Sequence, residues 1–150
     1  MSDAIRKATI EDCPAIEAIV RAAYAPYVPR IGREPAPMLD DYAALIQAGH
    51  VHVIDDGSAI QGILVLLPEP DAMLLDNVAV LPARHGTGLG RRLLEFAEQA
   101  AWDAGYRAIR LYTNAAMTEN IALYTRIGYV ETHRGQEKGL HRVYMTKQLG

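Results

Sequence analysis

Cysteine occurs once in the chain, at Cys13, so no intrachain disulfide can form and a reducing compartment is the simplest expectation. No apolar run approaches the roughly 20 residues that span a bilayer. The opening MSDAIRKATIED lacks the apolar core of a secretory signal. Neither sign of charge dominates: net charge is −3 over 150 residues, which lends no electrostatic support to a nucleic-acid or membrane-surface role. Repeats, low-complexity tracts and interdomain linkers are missing as well. What these absences leave is a cytoplasmic protein with one domain over residues 1–150. Its composition, half hydrophobic and 22% charged, suits a folded chain with a substantial core.

What is present centres on one stretch. An apolar strand over residues 72–80 runs into the turn His85-Gly-Thr-Gly-Leu-Gly90, and that turn opens into an amphipathic helix. Glycine at positions 86, 88 and 90 admits unusual φ values and close backbone approach. The first helical turn offers unpaired N–H donors and the positive end of a dipole. Such a turn is an anion site, most naturally for a phosphate or pyrophosphate. A nucleotide-binding Walker motif would need Gly-Lys-Ser/Thr where Gly90-Arg91-Arg92 stands. A dinucleotide fingerprint would need an early parallel strand before Gly-x-Gly-x-x-Gly.

Around this stretch the order of elements is readable. Residues 4–8 form a strand, and a helix follows with Asp12 preferred over Thr9 as its cap, because Pro14 then falls in the first turn. Ile16, Ile19, Val20 and Ala23 make its apolar face. Residues 24–38 carry four prolines and read as a stiff, extended loop. A loop of that length is often functional, and its Tyr24, Tyr27, Arg30 and Arg33 suit a substrate pocket. Met38, Tyr42 and Leu45 give a short helix ended by Gly49. Strands over 50–55, 59–67 and 72–80 are antiparallel neighbours, joined through Asp56-Gly57-Ser58 and residues 68–71. The helix after the glycine turn shows Leu89, Leu93, Phe96, Ala97, Ala100 and Ala104 on one face. A strand over 107–113 lies parallel to 72–80 after this crossover. Thr118 or Asn120 opens a further helix, closed by Gly128. Strands over 129–133 and 140–147 pair around residues 135–139. His50 and His52 read as surface strand residues rather than metal ligands, and Cys13 as an apolar filler.

The element order, HGTGLG after VAVLPAR, and Asn120-Ile-Ala-Leu-Tyr-Thr-Arg-Ile-Gly-Tyr129 together resemble the GNAT superfamily of N-acetyltransferases, over essentially the whole chain. The resemblance implies an α+β fold with a mixed, mostly antiparallel sheet of about seven strands and about four helices. It implies acetyl-CoA as co-substrate and no metal. The pyrophosphate would lie on His85, Gly86, Thr87, Gly88, Leu89, Gly90 and Arg91, with His85 where relatives carry Gln or Arg. Pantetheine would run beside Asn77, Val78, Ala79 and Val80 and touch Asn120. A backbone N–H of that strand would face the acetyl oxygen. Tyr124 takes the position of the acid that protonates the leaving thiolate, and Asp76 that of a base acting directly or through water. The expected reaction is direct acetyl transfer to a primary amine of a small molecule or peptide. A catalytically silent acyl-CoA sensor is the alternative. Homodimers are common in the superfamily, but no seam is visible in the pattern. For the acceptor, Arg30 and Arg33 suggest a carboxylate, whereas Glu34, Asp40 and Asp41 suit a polyamine.

Overall fold

The computed structural model describes residues 3–137 and 139–150. The chain order is β1 (Ala4–Lys7), α1 (Cys13–Tyr24), α2 (Val28–Ile31), α3 (Tyr42–Gln47), β2 (Val51–Asp55), β3 (Ile60–Pro68), β4 (Met73–Val80), α4 (Leu89–Asp103), β5 (Ala108–Asn114), α5 (Thr118–Arg126), β6 (Val130–Glu137) and β7 (Leu140–Gln148). The strands form one sheet in the order β1-β2-β3-β4-β5-β7-β6, parallel at β4–β5 and antiparallel elsewhere. This is the mixed α+β architecture that the element order implies.

Alternation along β3 explains why the sheet is covered on both sides. Leu64 and Leu66 face the layer of α4, with Leu93, Ala97 and Ile109, while Ile63 and Val65 face α1 and α3, with Ile16, Val20 and Ile46. Period-two burial on both faces marks a strand inside a three-layer sandwich. Gly62 has no room for a side chain, since a Cβ there would lie 3.0 Å from the Ala79 carbonyl and 3.2 Å from Leu93.

Several local expectations are corrected. Helix α1 is preceded by a 3₁₀ turn at Ile10–Asp12 headed by Thr9, whose N–H donates to Asp12 Oδ2 at 2.8 Å. Asp12 thus precedes α1 without a side-chain cap bond to it, its carboxylate turned back to Thr9, and Pro14 still falls in the first α turn. The proline-rich segment is not extended: it folds as a 3₁₀ turn (Ala25–Tyr27), α2, and a second 3₁₀ turn (Ala36–Leu39). Pro26, Pro29 and Pro37 each occupy the first turn of one piece, where the missing N–H has no helical partner to lose. The helix expected from Met38 is interrupted, because Asp40 is extended and the Asp41 carboxylate caps α3 by accepting from Ala44 N at 3.1 Å. Ala104 lies beyond α4 and is exposed. The last hairpin is longer than expected, with pairing continuing to Glu137–Leu140. Lys138, inside the expected turn, lies outside the described residues.

Two features of β4 position the site. Its parallel pairing with β5 stops after Leu75–Leu111, so from Asp76 onward that edge parts from its neighbour. On the other side Val65 pairs with Asn77 and Leu66 with Leu75, leaving Asp76 as the extra residue of a β-bulge. The bulge bends the strand where the gap opens.

Candidate active site

Asp76 and Asn77 break an otherwise apolar strand, and the bulge sends their side chains to different places. Asp76 is half-buried and accepts a hydrogen bond from the Tyr112 hydroxyl at 3.2 Å. Burial raises its pKa, opposed by the Tyr112 hydrogen bond and the positive charge of Arg142. Asn77 is only 3% exposed. Its Oδ1 accepts from the Tyr24 hydroxyl at 2.5 Å, and its Nδ2 donates to the Tyr42 hydroxyl at 3.0 Å. Tyr42 in turn donates to the Pro37 carbonyl at 2.5 Å. The amide thus ties β4 to the end of α1, the start of α3 and the proline-rich segment.

Beside the freed edge of β4 runs a cleft of about 570 Å³, lined by Val78–Val80, the glycine turn and the first turn of α4 on one side and α5 on the other. Gly86 and Gly88 have φ of 79° and 87°, in the left-handed region that side chains disfavour. A Cβ on either would meet nothing within 4 Å, so conformation and not space demands glycine. Gly88 caps α4, leaving the N–H groups of Leu89, Gly90 and Arg91 free of helical partners. The Thr87 side chain is turned away, its hydroxyl donating to the Arg84 carbonyl at 2.5 Å, and Leu89 is buried in the core. Both contribute through backbone only.

His85 lines the same cleft. Its Nε2 lies 3.0 Å from the Val80 carbonyl, and since a carbonyl only accepts, that nitrogen carries the hydrogen. Arg84 and Arg92 are drawn to Asp3, whereas Arg91 lines the cleft without a carboxylate partner among the described residues.

A second, smaller cavity lies where β4 and β5 diverge, bounded by Asp76, Tyr112, Arg142 and Pro35–Pro37. The two cavities share Tyr24, Val78, Met117, Asn120 and Tyr124. Tyr124 is 7% exposed, and its ring meets the edge of Tyr129 at 5.8 Å. Its hydroxyl has no hydrogen-bond partner among the described residues. Burial raises its pKa well above the usual phenol range, so it is held protonated.

This arrangement can be compared with known proteins. The profile of the acetyltransferase (GNAT) domain matches residues 47–131. The uncharacterized N-acetyltransferase YjgM of Escherichia coli (strain K12) is 32% identical over 137 residues, covering 85% of this chain and 82% of that protein. The chain belongs to the GNAT family of acetyltransferases. Its fold is shared with the ribosomal-protein-S18-alanine N-acetyltransferase of Escherichia coli, at a TM-score of 0.80 and 20% identity over 99% of this chain and 95% of the other. It is also shared with the PaiA N-acetyltransferase of Thermoplasma acidophilum, solved in complex with coenzyme A, at a TM-score of 0.80 and 20% identity over 99% of both chains.

Of the four substrate residues expected in this GNAT chain, the fold brings only Tyr24 to the smaller cavity. Tyr27 lines the larger cleft beneath the Arg30 guanidinium, 5.2 Å from its ring centroid. Arg30 itself forms a two-pronged pair with Glu119 at 2.7 and 2.8 Å and lines a separate hollow. Arg33 reaches toward Gly139. The sequence reading missed Tyr112 and Arg142, whose guanidinium stacks 4.2 Å over the Tyr112 ring. The alternation of β5 sets Arg110 and Tyr112 on the face opposite Ile109 and Leu111, but that spacing does not say which cavity the face meets, and Arg142 reaches it from β7. His52 is not a free surface group: its ring packs on Phe96 at 4.9 Å and its Nδ1 is buried without a partner. Among the described residues no group of three or more His, Cys, Asp or Glu side chains is placed to hold a metal. No helix among them is long and apolar enough to cross a membrane.

Proposed function

We propose that this GNAT acetyltransferase moves an acetyl group from acetyl-CoA directly to a primary amine of a small molecule or peptide, in the cytoplasm, through one domain spanning residues 1–150. The observation that carries this reading is the meeting of two cavities at the unpartnered Tyr124 hydroxyl, in the gap where β4 leaves β5. In this reading the larger cleft takes the donor. Its pyrophosphate lies on the backbone of Gly86–Arg91, aided by the Arg91 charge, and pantetheine pairs with the open edge of Val78–Val80, near Asn120. The smaller cavity takes the amine.

The chemistry follows from the groups at the junction. The amine nitrogen attacks the thioester carbon while a β4 backbone N–H stabilises the oxyanion. The C–S bond then breaks, and the thiolate takes the Tyr124 proton. Burial disfavours a phenolate, but it equally disfavours the developing thiolate beside it, so the transfer remains balanced. Asp76, with its affinity for protons raised by burial, takes a proton from the attacking amine directly or through water. His85, which lines the donor cleft, holds the Val80 carbonyl and so fixes the strand edge beside the pyrophosphate.

A thiol-release screen over amino acids, polyamines, aminoglycosides and peptide N-termini, run beside calorimetric titration with acetyl-CoA, tests this. Thiol release with at least one amine class supports the enzyme. Acetyl-CoA binding without release across the panel would falsify it and favour a sensor.

A further inference from the structure

Backbone pairing between β4 and β5 ends at Leu75–Leu111, and a side-chain bond takes over one residue later. The Tyr112 hydroxyl crosses the gap and donates to Asp76 Oδ1 at 3.2 Å. Beyond Tyr112 the connection continues to the edge of the sheet. The Arg142 guanidinium of β7 stacks 4.2 Å over the phenol ring, and Glu137 of β6 holds Arg142 at 2.8 Å. Neighbouring strands β4, β5, β7 and β6 thus each supply one member of a chain that ends on the bulged residue of β4. The cavity that Asp76, Tyr112 and Arg142 line is closed by a wall of Pro35–Pro37. Burial, followed by the charge of Asp76, pushes the Tyr112 pKa up to about 12, so the phenol stays protonated and donates. With Oδ1 engaged, Asp76 Oδ2 has no partner among the described residues.

We propose that Tyr112 is a positioning residue, held by Arg142, that aims the Asp76 carboxylate and leaves its second oxygen for the attacking amine. The inference deepens the acetyl-transfer reading above and rests on it. A bulged residue beside an open strand edge has no ladder to fix its side chain, so the phenol fixes both the rotamer and the charge state of the carboxylate. A hydrogen bond to the ionised form favours that form, against the burial that raises the Asp76 pKa. Other groups act on Asp76 through charge alone. They are Arg142 of β7, Glu69 in the β3–β4 turn, Asp40 before α3, and the Tyr24 and Tyr42 hydroxyls of α1 and α3. Arg142 is the one cation among them, and its pairing with Glu137 moderates it. None of them donates a hydrogen bond to Asp76 among the described residues. The stacked guanidinium also covers one face of the ring, which keeps the hydroxyl from swinging off Oδ1.

Tyr112→Phe keeps the ring beneath Arg142 and removes only the bond to Asp76, and a melting curve checks folding. NMR titration of protein labelled at its aspartate carboxyl groups reads the Asp76 pKa without turnover, with Asp76→Asn identifying the signal. Tyr112→Phe should raise that pKa by about one unit, the size expected of one hydrogen bond to a charged group. The lower inflection of kcat/KM against pH, measured with the best amine of the thiol-release screen, should move up with it. KM for acetyl-CoA should stay within about twofold, since no donor contact is lost. Tyr144→Phe, which alters the ring paired across from Tyr112 on β7, should move neither readout. An unchanged Asp76 pKa in folded Tyr112→Phe, or an equal shift in Tyr144→Phe, would overturn the proposal. A shifted pKa with an unmoved rate profile would uphold the Tyr112–Asp76 coupling and remove Asp76 as base from the acetyl-transfer reading.

Discussion

Replacing Asn77 with alanine should separate what holds the acceptor wall from what performs the chemistry. The amide is nearly fully buried and satisfies two tyrosine hydroxyls at once. Without it, the Tyr24 hydroxyl retains only a long contact of 3.4 Å to the Val78 carbonyl, while Tyr42 keeps its bond to Pro37. A buried hydroxyl left short of a partner costs about 1–3 kcal/mol, and the small void left by the amide adds to this. A total of about 2–3 kcal/mol corresponds to a Tm lowered by about 4–12 °C for a chain of this size. Tyr24→Phe should cost less, and a double-mutant cycle in urea should show the two changes coupled by about 1 kcal/mol, because each removes the same bond. Because Tyr42 no longer anchors the wall to β4, KM for the amine should rise more than KM for acetyl-CoA. A Tm within about 2 °C of the parent, a change smaller than these terms allow, would refute the reasoning. So would strictly additive effects of the two substitutions.

Three further outcomes follow from the geometry. Gly88→Ala forces a side chain into a left-handed conformation and should lower stability by about 1–2 kcal/mol, weakening acetyl-CoA binding as the cradle distorts. Gly90→Ala, whose Cβ would meet only Val80 Cγ2 at 3.9 Å, should melt near the parent temperature in the same scan. The raised pKa of Asp40, about 6, means that the folded state binds the proton more tightly than the unfolded chain. Its destabilising effect therefore grows as pH rises from about 4 to about 6 and is constant above that. Asp40→Asn should accordingly raise Tm at about pH 8, with the gain vanishing below about pH 4; a gain independent of pH would contradict this. Glu119→Gln should leave Tm nearly unchanged, because its pairing with Arg30 is solvent-exposed, and a clear loss of stability by circular dichroism would show that the pair does more than the surface geometry implies.

Much of the fold was legible because its signals are local. The alternation in β2, β3 and β4, the Asp56-Gly57-Ser58 turn and the apolar stripe of α4 each follow from spacing within one element, and each is found near its expected bounds. The glycine turn was legible for the same reason, since left-handed φ values at Gly86 and Gly88 require that residue type. The proline-rich segment was misread because proline excludes helix interiors yet favours first turns, and a run of one-turn helices satisfies both rules without any periodicity. The cavity itself was less legible. Tyr112 and Arg142 reach it from β5 and β7, and Arg30 leaves it for Glu119 on α5, 89 positions away. Such pairings depend on strand order and on the bulge at Asp76, neither of which leaves a mark at sequence spacing. Asn77 illustrates the limit well. A polar residue in an apolar strand was visible, but its two tyrosine partners came from separate elements.

The central claim is that Tyr124 acts on the leaving group at the junction of the two cavities, and Tyr124→Phe tests it most directly. The substitution keeps the ring against Tyr129 and removes only a hydroxyl that has no hydrogen-bond partner among the described residues. Initial rates with the best acceptor should show kcat lowered by about 10²–10⁴-fold, the usual contribution of a positioned acid. Calorimetric affinity for acetyl-CoA should stay within about threefold, since no binding contact is lost. A retained kcat, or a collapse of acetyl-CoA affinity and Tm together, would contradict the assignment and make Tyr124 a packing residue.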